Sequence, residues 1–259
     1  MILYVLLTHR SASEVRAYLD DFEHVLPGRR CVVCYGGTRD DFEGLRDTPD
    51  ALFLDDPSMR HRTGQSYTKL LGLIHEQFVV TDPSYTCVHL IEWDHVVLSS
   101  HYESELLGIM AGERVGLLAP SCADHTFVNW RHGIALLDDH ELTHKLREIS
   151  VRDQDVPSIW GGLGDGMTIG RDALEEFCRQ GGDLSRYVEA YVPTVIYHLG
   201  YRVLGAPETA TLFDHLRFGP PYAREEATRL ARDGALALHP VRDRAIQREV
   251  MAIAASQFG

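Results

Sequence analysis

The chain has 259 residues, of which 44% are hydrophobic and 24% charged, and its formal net charge is -13. That length suits one α/β domain with a full core, and no apolar run reaches the roughly 18 residues of a membrane-spanning helix. The acidic balance repels a phosphate backbone and so excludes a general DNA or RNA binder.

The first residues, Met1 to Leu7, are apolar but show neither a basic leader nor a small-residue cleavage site. They read as a strand from Ile2 to Thr8, buried on both faces, and not as a signal peptide. Ser11 and Glu14 form a capping box, and Val15, Tyr18, Leu19, Phe22, Val25 and Leu26 recur at helical spacing until Pro27-Gly28. Cys31 to Tyr35 is a second strand, followed by Gly36-Gly37 and a short helix over 41–45. Ala51 to Leu54 is a third strand, ending in Asp55-Asp56-Pro57. A helix over 65–78 and a fourth strand, Thr86 to Ile91, follow. Strands separated by helices of this length predict a parallel sheet with helices on both faces.

Beyond Glu92 the pattern loosens. Val115 to Ala119 reads as a strand, 125–133 has no clear period, and Asp138 or Asp139 caps a helix reaching Ile149. A glycine-rich segment over 158–170 precedes a helix from Asp172 to Arg179. A further helix closes at Gly200, Tyr201 to Leu204 is a last strand, and the tail past Pro221 is charged and mostly helical. No repeat or linker interrupts the chain, so one domain over 1–259 is expected. The five cysteines are an odd number, which fits reduced thiols in a cytoplasmic protein. Cys31-Val32-Val33-Cys34 has CxxC spacing with no second pair.

Five motifs could carry chemistry. Glu92 and Asp94 follow the fourth strand, and residues two apart on an extended chain share a side. Two converging carboxylates repel, and a divalent metal bridged to phosphate relieves this. The carboxyl ends of strands are where open α/β sheets bind ligands; a solvated acidic turn is the simpler alternative. His140-Glu141-Leu142-Thr143-His144 matches HExxH, the zinc-peptidase pattern, but Lys145 follows it and no third ligand is evident. Gly161-Gly162-Leu163-Gly164-Asp165-Gly166 could admit a ligand close to the backbone, yet fits neither dinucleotide nor P-loop spacing. Glu189 precedes Pro193-Thr194 at a helix N-terminus. His239 stands before Pro240 near the end.

Taken in order, these features resemble a GT-A fold glycosyltransferase, loosely of family 2. The resemblance runs over Tyr4-Val5-Leu6-Leu7-Thr8 with His9 and Arg10, Asp55-Asp56, Glu92-Trp93-Asp94 at the DxD position, Arg171-Asp172-Ala173-Leu174, Gly181-Gly182-Asp183, Val188-Glu189 with Gly200-Tyr201-Arg202-Val203, and His239-Pro240-Val241. It departs from the pattern in the first DxD residue, in the single Glu of the ED motif and in lacking QxxRW. It implies a three-layer α/β/α, Rossmann-like fold with a central, mostly parallel sheet. Residues 1–98 would form the nucleotide-binding half, and 99–259 the acceptor-binding half with a C-terminal helical tail. The implied donor is a UDP-, GDP- or dTDP-linked sugar and the acceptor a small molecule or glycan, with Mn2+ or Mg2+ as cofactor.

The resemblance also assigns residues. Asp94 holds the metal, His239 completes the site, and Glu92 binds ribose or the metal through water. Thr8, His9, Arg10, Asp55, Asp56 and Lys69 attend the nucleotide, and Arg10, Arg62 or Lys69 would meet the diphosphate. Trp93, Trp130, Trp160, Gly161, Gly162 and Asp165 line the donor sugar or acceptor, and Glu189 is the base for inverting transfer. The alternatives are a zinc hydrolase built on His140 and His144, a nucleotidyltransferase, and a non-catalytic sugar-binding protein.

Overall fold

The structure is a computed structural model that describes residues 1–48, 50–53, 67–126, 128, 130–152, 156–182, 184, 186–205 and 211–258. In chain order its strands are β1 (Ile2–Thr8), β2 (Cys31–Tyr35), β3 (Ala51–Phe53), β4 (Cys87–Glu92), β5 (Val96–Val97), β6 (Val115–Leu118), β7 (Ala123–Asp124), β8 (Trp160–Gly161), β9 (Thr168–Gly170), β10 (Arg202–Leu204) and β11 (Ala237–Leu238). Seven of them form one mostly parallel sheet in the order β10-β6-β9-β4-β1-β2-β3. This is the mixed α/β architecture that the alternation of strands and helices predicts.

The chain divides into two compact units. The first comprises Ile2–Asp55, His89–Ile109 and Ala206–Gly259. All seven residues of β1 are buried, as an apolar run covered on both faces requires. β1 pairs in parallel with β2, and β2 with β3. The helix Ala12–Val25 joins β1 to β2 and starts at the expected capping box, in which Ser11 and Glu14 satisfy each other's backbone N–H. Val15, Tyr18 and Phe22 are the buried stripe of that helix. The short helix after β2 runs Arg39–Glu43, two residues earlier than expected, because the Thr38 side chain caps it through the Asp41 N–H.

Cys31 and Cys34 both lie on β2, three residues apart and therefore on opposite faces of the strand. They cannot share a metal or a disulfide. Burial pushes the Cys31 thiol up to about 12 and that of Cys34 well above its ordinary value. An apolar cluster of the unit is completed late in the sequence. The helices Arg224–Arg232 and Arg244–Phe258 bury Ala227, Leu230, Ile246 and Val250 in one apolar cluster with Val96, Leu98 and Leu238. β11 pairs antiparallel with β5 at the edge of this cluster.

The second unit comprises Met1, Asp56–Val88 and Met110–Gly205. The helix expected over 65–78 is α-helical over Tyr67–Ile74 and widens to a π-helix over His75–Val79. β6 pairs in parallel with β10 and antiparallel with β9, a strand the glycine-rich sequence concealed. The helix Arg171–Gln180 follows β9, and Arg171 donates to the carbonyls of Asp82 and Tyr85, 3.0 and 3.2 Å away. The helix Val188–His198 is buried along most of its length.

His198, at the end of that helix, is only 2% exposed. Its Nδ1 meets the Ser150 hydroxyl at 2.9 Å and its Nε2 the Ser158 carbonyl at 3.0 Å. Burial, aided by the Arg152 charge, holds its pKa below the ordinary value despite the Ser158 carbonyl. The unfolded chain binds this proton near pH 6.5 while the folded chain refuses it. The stability this neutral histidine carries is therefore complete above about pH 6.5 and is lost as pH falls through the lower folded value. Thermal melts between pH 8 and 5 should show the decline, and His198→Gln should flatten it. An unchanged slope in the variant would remove His198 as the cause.

Candidate active site

β4 delivers Glu92 to the carboxyl end of the sheet. The following residues are not extended, as the spacing argument assumed. They form a turn closed by the His95 N–H to the Glu92 carbonyl at 3.0 Å. The turn, and not strand alternation, sets the two carboxylates. It also buries Asp94, which is 3% exposed, while Glu92 stays half-buried.

His239 reaches the same place through β11. The register pairs Leu238 with Val96 and Ala237 with Val97, so the next residue on each side brings His239 beside His95. Their rings lie 6.3 Å apart. The Val241 N–H then donates to the Asp94 carbonyl at 2.8 Å. Gln247 clamps the junction, its amide donating to the carbonyls of Trp93 at 3.1 Å and Val241 at 2.7 Å. Glu92, Asp94 and His239 bring one ligand atom each to within 4.8 Å of one another. Among the described residues no other group of three or more potential ligands gathers in this way.

The tautomer of His239 is set by its surroundings. Nδ1 faces the Arg217 carbonyl at 3.0 Å and donates to it, which leaves Nε2 as the ring nitrogen turned toward Asp94. Nε2 lies 3.4 Å from Asp94 Oδ1, a buried oxygen that accepts no hydrogen bond among the described residues. An imidazole nitrogen and a carboxylate oxygen at this separation could share a cation. The other oxygen, Oδ2, has Arg242 Nε 3.5 Å away.

Residues expected at the nucleotide also come together in the first unit. Thr8 is buried at the end of β1, and its hydroxyl accepts the Arg10 N–H at 3.2 Å. The Arg10 guanidinium stacks 3.8 Å over the Trp93 ring, and the His9 ring meets the same indole edge-on at 6.3 Å. Arg10, Trp93, Arg242, Arg244 and Gln247 are among the residues lining a small cleft. Asp55, Asp56, Arg62 and Asp183 lie outside the described residues. Lys69 is exposed on the helix Tyr67–Ile74 of the second unit.

The second unit holds Glu189, Trp130, Trp160, Gly161, Gly162 and Asp165. Glu189 sits in the first turn of its helix. Its Oε1 accepts the Gly164 N–H at 2.9 Å, and its Oε2 accepts the Tyr187 hydroxyl. A Cβ at residue 164 would come within 3.3 Å of that side chain, a tight contact that the glycine avoids. Tyr187 in turn stacks on His132 at 3.9 Å. The Trp130 ring occupies the space where a Cβ of residue 161 would lie, 2.5 Å away, so Gly161 admits an indole from the same unit. Asp165 is buried, and Trp160 packs against Tyr197 at 5.2 Å.

The HExxH match gathers no third ligand among the described residues. His140 is exposed, His144 faces Glu148 at 3.3 Å on an exposed helical surface, and Glu141 is paired with Arg186 at 2.7 Å. Sequence reasoning missed Arg242, Gln247 and Tyr187. Only the Arg242 charge close behind His239 offered a signal.

No protein-family model matches the chain, and no curated protein matches its sequence. Among solved structures it is similar to a mannosyltransferase from Pyrobaculum calidifontis in complex with GDP-Man and Mn2+. That match has 14% identity and a TM-score of 0.46, and covers 98% of this chain and 73% of the other. The chain is also similar to a glycosyltransferase involved in glycosylation of the major capsid of PBCV-1. Here identity is 9%, the TM-score 0.44, and 98% of each chain is covered. Among the described residues, no helix is long and apolar enough to cross a membrane.

Proposed function

We propose that the protein is a metal-dependent glycosyltransferase that moves a sugar from a nucleoside diphosphate sugar to an acceptor hydroxyl with inversion. One observation carries the reading. At the carboxyl end of β4, His239 Nε2 faces the buried Asp94 Oδ1 at 3.4 Å with Glu92 beside them. Two carboxylates and an imidazole suit a divalent ion, and the nitrogen ligand favours Mn2+ over Mg2+. A bound Mn2+ would supply Lewis-acid neutralisation of the charge that builds on the departing diphosphate.

The chain's own residues take the remaining roles. Asp94 and His239 hold the metal, with Glu92 as a further ligand or a ribose contact. Thr8, with His9 and Arg10 against Trp93, would receive the nucleoside. Glu189 is proposed as the base that takes the acceptor proton, with Trp130 and Trp160 as aromatic surfaces for sugars.

Titration of Mn2+ and of GDP, UDP or dTDP, separately and together, tests this reading. Each ligand should tighten the other, because linkage is reciprocal. At about a hundred times Kd, the matching nucleotide with Mn2+ should add about 2.7 kcal/mol of stability. A nucleotide that binds equally well with and without metal would overturn the proposal.

A further inference from the structure

We infer that Arg242 is a diphosphate-binding residue, which neutralises Asp94 in the free protein and passes to the diphosphate when a nucleotide binds with its metal. The inference rests on the reading of Glu92, Asp94 and His239 as the metal site.

The need for such a residue follows from charge. A diphosphate brings about three negative charges to a site that already holds two carboxylates, and a divalent ion offsets only two of the total. A cationic side chain is required within reach of the metal ligands. In the first unit the other arginines near the site are committed elsewhere. Arg10 is stacked on Trp93 with Glu14 at 3.5 Å. Arg217 makes two hydrogen bonds to Glu226, at 3.1 and 3.2 Å, and one to the Pro220 carbonyl at 3.0 Å. Arg244 is bound to Asp21, the Ala17 carbonyl and Gln247.

Arg242 differs in both position and commitment. Its ion partner is Asp94, the central ligand of the proposed metal site. The contact is a 3.5 Å approach of Nε to Oδ2, longer than a charge-assisted hydrogen bond of about 2.7–2.9 Å. The Arg242 side chain is 56% exposed while that of Asp94 is 4% exposed, so the arginine can leave and the carboxylate cannot. Its backbone is nevertheless fixed beside the site. Val241 donates to the Asp94 carbonyl, and Gln247 ties Val241 to Trp93. An exposed guanidinium on an anchored backbone suits a group that exchanges a carboxylate for a phosphate.

Calorimetric titration of the full chain and of Arg242→Gln and Arg242→Lys tests the inference. Mn2+ alone is titrated first, then the nucleoside diphosphate that the parent chain binds, at saturating Mn2+, and then the matching nucleoside. In Arg242→Gln, Mn2+ affinity should be equal or tighter, because a competing cation has left Asp94. Diphosphate affinity should fall about ten- to a hundredfold, the worth of a charged hydrogen bond. Nucleoside affinity should not change, and Arg242→Lys should recover part of the loss. Unchanged diphosphate affinity in Arg242→Gln would overturn the inference, as would a parallel fall in Mn2+ and diphosphate affinity. A parent chain that shows no metal-dependent diphosphate binding would overturn the proposed function itself, and the role of Arg242 with it.

Discussion

Asp94→Asn is expected to abolish Mn2+-dependent nucleotide binding and to lower turnover by at least about a hundredfold, the upper cost of losing even a residue that only supports a metal ligand. The substitution keeps the shape of a side chain that is 3% exposed, so it opens no cavity in the turn after β4. It removes the buried charge nearest His239 Nε2, 3.4 Å away, and leaves only Glu92 to offset a cation. The amide oxygen that remains is a neutral ligand and holds a divalent ion more weakly than a carboxylate does. The fold should persist for a stated reason. The partner left behind, Arg242, is 56% exposed and remains solvated, so no buried charge is stranded. Loss of repulsion between Asp94 and Glu92 should leave the melting temperature of the metal-free protein unchanged or raised. Calorimetry and melting curves with and without Mn2+ check both halves. An Asn variant that keeps full metal-dependent activity would sink the assignment of Asp94.

The local sequence made the first unit's strands legible because they carry strong, uninterrupted signals. β1 is seven consecutive buried residues, and the helix after it announces itself with Ser11 and Glu14. The acidic pair after β4 was visible for the same reason, as charge directly following an apolar run. Elements that depend on distant partners were not visible. β5 and β11 are two residues each and exist through their pairing with one another. The helix His101–Met110 was missed because its buried face includes Glu103. That carboxylate is paired with Arg29 at 2.6 Å, a contact from outside its own helix, so the local pattern reads as polar. β9 hid within a glycine-rich segment. His239 could be placed only by resemblance, since the local sequence gives a lone histidine before a proline. What selects it physically is the β5–β11 register and the Arg217 carbonyl on Nδ1. Arg242 carried only a weak signal, a charge close behind His239 among the many charges of the tail.

Glu189→Gln is expected to lower turnover by roughly a hundred- to ten-thousandfold, the usual contribution of a positioned general base, while leaving donor affinity unchanged. The carboxylate has a second, structural role that the experiment must separate. Its two oxygens accept the Gly164 N–H and the Tyr187 hydroxyl, and its backbone carbonyl accepts the Gly162 N–H at 2.9 Å. Glu189 thereby fastens the glycine-rich segment to the start of the helix Val188–His198. Glutamine preserves that fastening, because its carbonyl oxygen accepts from Gly164 and its amide donates to the Tyr187 oxygen. Alanine does not, and it would leave the Gly164 N–H and the Tyr187 hydroxyl without their present acceptor. The two variants therefore divide the roles. A base is lost in both, whereas a fastener is lost only in alanine. Turnover near normal in Glu189→Gln, with reduced stability in Glu189→Ala, would leave Glu189 as a structural carboxylate and require the acceptor proton to go elsewhere.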